Sequence, residues 1–303
     1  MGGWKGGGGR GKLGLAGVEV REGQVKENPI GVFDSGLGGL SVVRELERLL
    51  PGEDLVYFGD TARVPYGIKS RRTVAHFALE DARFLLRFDP KLMVVACNTV
   101  SALALDELEA ALPLPVIGVV KPGAQAAVRL ADGGPIAVIG TEATIASSAY
   151  TAAIKALDAS VEVVTQACPL LVPLVEEGRG SEDALVKLAV ATYLAPVREQ
   201  GVRVIVLGCT HYPLLREAIA EFLGSEVHIV ESGRETALAV REALQKADAL
   251  CAEGRTGSLR CFVSDNPTRF RRVGSRFLNH EIENVELVEA EQYISSAAGY
   301  KGR

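Results

Sequence analysis

The sequence predicts an α/β protein built from two similar doubly wound parallel-sheet domains, with a ligand cleft between them. Three observations predict it. Short β-branched runs alternate with helical patterns of ten or more residues, the signature of βαβ units. The runs are apolar along their length, as strands covered on both faces must be. Two of them also end alike: VVACNTVSAL (94–103) and VIVLGCTHYP (204–213) each close on a cysteine with threonine within two positions.

The elements follow in order. Residues 29–33 read as a strand and 40–50 as a helix stopped by Pro51, whose ring cannot continue the hydrogen-bond ladder. Residues 54–58 form a second strand, 71–88 a long amphipathic helix, 92–96 a third strand and 101–112 a helix. Runs at 116–119, 136–139, 161–164 and 204–207 continue the strand series. Residues 28–120 are assigned to the first domain and 121–232 to the second. Residues 233–303 are expected to return to the first, which otherwise lacks a full set of covering helices. Residues 1–27 are glycine-rich, bury little and lose much entropy on ordering, so a flexible extension is expected there.

Composition narrows the function. The 303 residues are 48% hydrophobic and 23% charged with net charge -5, which is globular and offers a polyanion such as nucleic acid no general attraction. No apolar run reaches the length of a membrane span, and the N-terminus has no apolar core of a secretory signal. Five cysteines without a C-x-x-C pair point to reduced thiols in the cytoplasm.

A residue that follows a parallel strand sits at the carboxyl edge of its sheet, where open α/β folds bind ligands. Cys97 and Cys209 are placed there, and helix N-termini beyond them would favour thiolates. Cysteine at a strand end is more often a small buried hydrophobe, and Cys168, Cys251 and Cys261 are read so. Polar Asn98, Thr99, Thr210 and His211 set the other two apart, since apolar packing has no use for them. The first strand leads into Asp34 and a glycine turn, FDSGLGGLSVV, able to present N–H groups to an anion. That turn departs from both the dinucleotide fingerprint and the P-loop. His76, His228 and His280 lie outside every motif and are read as surface or core residues.

Taken together, DSGLGG (34–39), GDTARVPYG (59–67), ACNT (96–99), GTEATIASSAY (140–150), CPLLVPLVEEG (168–178) and GCTHYPLL (208–215) resemble the glutamate racemases of the aspartate/glutamate racemase family, and stand in that family's order. The resemblance runs from about residue 28 to 242. It implies a cofactor-independent and metal-free isomerase of two α/β domains that interconverts L- and D-glutamate for peptidoglycan, in the cytoplasm, as a homodimer. By motif, Cys97 and Cys209 would be the acid/base thiols, with Asp34 assisting Cys97, and His211 backed by Glu176 assisting Cys209. Ser35, Asn98, Thr99 and Thr210 would hold the amino-acid head group, and the Tyr66–Gly67 backbone the side-chain carboxylate. Thr141 and Thr144 would belong to the same pocket.

The chemistry suits the residues. Racemising an α-carbon needs a base on one face and an acid on the other, and two thiols with an ordinary pKa of about 8.5 can exchange those roles. A Cys-His thiol hydrolase would leave the second cysteine without a task, and a zinc site would lack a second local ligand pair. A non-enzymatic amino-acid binding protein would not need the thiols. An aspartate racemase would use the same machinery in a shorter pocket.

Overall fold

Among the described residues, 26–298 of the computed structural model, ten strands assemble into two parallel sheets. They are β1 (Ile30–Asp34), β2 (Leu55–Gly59), β3 (Leu92–Val95), β4 (Val116–Gly118), β5 (Ile136–Gly140), β6 (Val163–Ala167), β7 (Val204–Gly208), β8 (His228–Glu231), β9 (Leu259–Val263) and β10 (Val285–Leu287). The first sheet runs β10-β9-β2-β1-β3-β4 and the second β6-β5-β7-β8. The expected extension over 1–27 falls outside the described residues except for Lys26 and Glu27.

Apolar strands become central strands here for a physical reason. Every residue of β1, β2, β3, β5 and β7 is buried, so each face must meet helices. The buried core passes without interruption from Ile30, Val32 and Val94 of the first sheet to Ile139, Ile205 and Leu207 of the second. Each such side chain contributes roughly 1.5–3 kcal/mol on burial. Register then sets where the reactive ends fall. Phe33 pairs with Val95, so Asp34 and Cys97 leave neighbouring strands at one edge. Gly140 pairs with Gly208, so Thr141 and Cys209 do the same in the second sheet.

Several boundaries differ from the sequence reading. The helix expected over 101–112 is two helices, Asn98–Leu103 and Leu105–Ala111, joined at Ala104 with φ -135 and ψ 6. It starts directly after Cys97, drawing the polar Asn98 and Thr99 into its first turn. The strand expected at 161–164 is β6, which begins at Val163 and is only half-buried, because it is the edge of its sheet. Strands β8, β9 and β10 are too short or too mixed to announce themselves: LRCFV places an arginine in the second position of β9. β9 nevertheless pairs with β2, Leu55 against Leu259 through Gly59 against Val263, and β10 adds to its far side.

The segment after β2 needs its own support, because it leaves the sheet to wall the ligand edge. Arg63 provides it. Its guanidinium meets Asp60 at 2.6 Å and Asp81 at 2.9 Å, and also bonds Glu80. The Tyr66 hydroxyl donates to Asp60 and lies 3.1 Å from Asp81. Burial first, then the neighbouring Asp60, pushes the Asp81 carboxyl well above its ordinary range. One cation thus anchors three carboxylates and the loop. Removing it leaves uncompensated buried charge, so Arg63→Met is expected to destabilise the fold by about 3–5 kcal/mol. Urea denaturation checks this, and an unshifted midpoint would contradict the anchoring role.

Candidate active site

Cys97 and Cys209 line one cavity of about 360 Å³ between the two carboxyl edges. Ser35, Gly36, Tyr66, Gly67, Asn98, Thr99, Thr141, Glu176, Thr210 and His211 border the same space. Two residues of the sequence reading stand behind it instead. Asp34 is buried under the wall, and Thr144 lies behind Thr141, their hydroxyls 2.9 Å apart. Tyr66 reaches the cavity edge, but its hydroxyl is turned away into the Arg63 cluster.

The Cys97 thiol donates to the Ser35 hydroxyl at 3.5 Å. Cys97 is the N-cap of the helix Asn98–Leu103, yet the expected lowering of its pKa is reversed. Burial, then the Asp34 carboxylate, pushes the thiol up to about 12, outweighing Ser35 and the backbone N–H groups of Val100 and Ser35. A six-residue helix has a small dipole, and desolvation wins. Asp34 accepts the Gly36 N–H through Oδ2 at 2.9 Å, while Oδ1 is buried without a side-chain partner. Burial raises its pKa against the opposing pull of His211.

The second thiol has a different neighbourhood. Cys209 is followed by a 3-10 turn, Tyr212–Leu215, not by an α-helix, so the helix-dipole expectation does not apply to it. Its sulfur lies 3.9 Å from His211 Nδ1, and Nε2 lies 3.1 Å from Glu176 Oε1. Arg269 reaches across from the helix Pro267–Leu278 to the other oxygen of Glu176, at 3.1 Å. Burial alone would push the His211 ring down, but its bonds to Cys209 and Glu176 lift it to about 10. Burial likewise works against the Glu176 carboxylate, yet His211 and Arg269 hold it below its usual range. The ring of Phe277 packs edge-on against His211, centroids 5.4 Å apart. Cys97 is therefore a neutral thiol near a carboxylate, and Cys209 faces an imidazolium.

Polar groups converge around the space between. Thr99 Oγ1 lies 3.1 Å from Thr141 Oγ1 and 3.3 Å from Thr144 Oγ1, joining the two sheet edges. Gly38 and Gly67 allow closer joins. A Cβ on Gly38 would fall 2.3 Å from Thr210 Oγ1 and 2.5 Å from His211 Nδ1, and one on Gly67 2.7 Å from Thr141 Cβ. Neither distance admits a side chain.

A model of the Asp/Glu/Hydantoin racemase family matches residues 30–243. The chain belongs to that family. Among racemases of the family, the glutamate racemase of Geobacter metallireducens is 52% identical over 262 residues, covering 86% of this chain and 97% of the relative. That of Chlorobium phaeobacteroides is 47% identical, covering 87% and 97%. A solved glutamate racemase from Bacillus anthracis superposes with TM-score 0.84 at 41% identity, over 88% of this chain and 98% of its own. One from Francisella tularensis, solved with D-glutamate, superposes with TM-score 0.82 at 38% identity, over 88% and 98%.

Sequence reasoning missed part of the wall: Val64, Pro65, Ile68, Glu142, Pro169, Val172 and Pro173. Each sits inside or beside a quoted motif, so proximity to those motifs was the available signal. It also missed Arg269, which lies beyond the residues the family model matches. Glu176→Gln should lower the His211 titration from about 10 toward the ordinary 6.5, since it removes the partner that charge favours. Ring-proton NMR across pH reads it. Because the folded value lies above the unfolded one, the stability this ring supplies is full below about 6.5 and fades as pH rises through about 10.

Proposed function

We propose that this chain is a cofactor-independent glutamate racemase, in which Cys97 and Cys209 exchange the α-proton from opposite faces of the substrate. The observation that carries the reading is that two thiols from the ends of different sheets border one cavity. Family membership, the glutamate racemase relatives and the neighbour solved with D-glutamate support glutamate as the substrate. In one direction the thiolate of Cys209 removes the α-proton of L-glutamate while the neutral thiol of Cys97 delivers its proton to the other face. The reverse reaction exchanges the roles.

His211, held by Glu176, supports the charge of the Cys209 thiolate, and the Asp34 carboxylate tunes Cys97. Ser35, Asn98, Thr99 and Thr210 hold the head group, with Thr141 and Thr144 bracing them, and the Tyr66–Gly67 backbone receives the side-chain carboxylate. The α-proton is a poor acid, so these donors must be fixed before charge develops on the carbon. The same proposal takes residues 28–120 with 233–303 as one domain and 121–232 as the other, which sheet membership supports. It places the enzyme in the cytoplasm, supplying D-glutamate for peptidoglycan. Among the described residues no helix is long and apolar enough to cross a membrane.

Two measurements test it. Cys97→Ala and Cys209→Ala should each abolish racemisation, followed as α-proton exchange coupled to inversion in heavy water. Elimination from a β-substituted glutamate needs a base on only one face. Cys97→Ala should therefore retain it with the L-enantiomer and Cys209→Ala with the D-enantiomer. Full racemisation by either variant would sink the two-thiol scheme. The working unit is proposed to be a homodimer, and sedimentation equilibrium at assay concentration should give twice the 32.1 kDa chain mass; a monomer there would overturn that part.

A further inference from the structure

Asn98 borders the cavity, and which end of its amide faces the ligand decides what it can bind. An NH₂ group donates to a carboxylate, whereas a carbonyl oxygen would repel one. The structure contains what is needed to assign it. Asn98 is buried, and its Nδ2 has no hydrogen-bond partner. Its Oδ1 lies 2.6 Å from the hydroxyl of Tyr150. That length is typical of O–H···O contacts and short for N–H···O. Tyr150 is buried on the helix Ala149–Leu157 of the second sheet's side, and its hydroxyl also lies 2.9 Å from Ser232 Oγ. Burial raises the pKa of Tyr150, so its proton is present at any pH where the fold is studied.

We infer that Tyr150 is a positioning residue: its hydroxyl, donating to Asn98 Oδ1, locks the Asn98 amide so that Nδ2 points at the anionic oxygen of the bound amino acid. This rests on the proposed reaction and adds to it a residue that touches no substrate. The lock spans both sides of the cleft. Asn98 begins the helix after β3, Tyr150 belongs to the segment after β5, and Ser232 opens the helix that follows β8. An unpaired donor in a buried wall costs stability in the empty protein. The arrangement is consistent with a site prepared for an anion, and it is why the amide must not be free to rotate.

The test compares Tyr150→Phe, Asn98→Ala and the double variant by kcat and KM for both enantiomers. Losing a hydrogen bond to a charged group weakens binding roughly tenfold or more. Tyr150→Phe should therefore raise KM about tenfold for L- and D-glutamate alike, with kcat changed less than about threefold. The double variant should be no worse than Asn98→Ala alone, because both act through one amide. A full additional loss in the double variant, or an unchanged KM in a folded Tyr150→Phe protein, overturns the assignment. A second measurement needs no variant of Tyr150. In the wild-type protein the Asn98 side-chain NH₂ resonances, identified by their loss in Asn98→Ala, should shift when D-glutamate saturates the site. Resonances that stay put while D-glutamate binds overturn the proposal. If wild-type protein neither binds glutamate nor exchanges its α-proton, the proposed reaction fails. The lock is then judged on the empty protein, where Tyr150→Phe must move the same resonances or the lock fails too.

Discussion

At two points bordering this cavity the backbone on the first sheet's side runs almost against side chains of the second, and glycine is the only residue that permits it. Gly38, in the turn after β1, sits where any Cβ would strike Thr210 and His211 of the other sheet. Gly67 does the same against Thr141. These two contacts fix the separation of the sheet edges, and therefore of the two thiols that β3 and β7 deliver. Gly38 of the DSGLGG turn is thus a spacer between the two sheet edges. The Arg63 cluster serves the same end by holding the loop that carries Gly67 against the wall.

The spacing brings together two thiols with opposite electrostatic surroundings. Cys97 is desolvated beside a carboxylate and keeps its proton, whereas Cys209 faces a ring that its bonds to Cys209 and Glu176 hold as a cation. A symmetric site would leave two thiols competing for one charge. The asymmetry instead gives the two sulfurs different neighbours in the empty protein, Ser35 and Asp34 for Cys97 and His211 for Cys209. In the proposed reaction each proton transfer exchanges the roles of the two sulfurs, and the polar groups bordering the cavity serve both directions.

Most of this was legible in the sequence where a residue's chemistry contradicted its surroundings. Asn98, Thr99, Thr210 and His211 follow apolar strands, and nothing in a core would call for them. The strands β1, β2, β3, β5 and β7 were legible because burial on both faces demands unbroken apolar runs. β9 and β10 were not, because strands near a sheet edge tolerate polar residues and lose the pattern. The tuning of Cys97 was misread for a related reason: a helix N-terminus is visible in sequence, but the depth at which it lies is not. Arg269 was hidden because it acts through Glu176, some ninety residues earlier in the chain. The helix that carries it does announce itself, with Asn266 capping Arg269 N–H at 3.0 Å and Pro267 following.

The strand order has a consequence for how the chain is made. The second sheet is continuous in sequence, from β5 to β8, and lies between the strands of the first. It can close as soon as residue 231 has left the ribosome. The first sheet cannot, because until β9 emerges β2 is an open edge with unpaired backbone groups. The Asp60 and Thr61 contacts with Ser264 and Asp265 are missing at that stage too. The part of the molecule that starts first is thus the last to finish, and Glu176 waits for Arg269 until nearly nine-tenths of the chain has been synthesised. During synthesis the inserted sheet is the finished half, and the nascent protein's exposed strand belongs to the half that began the chain.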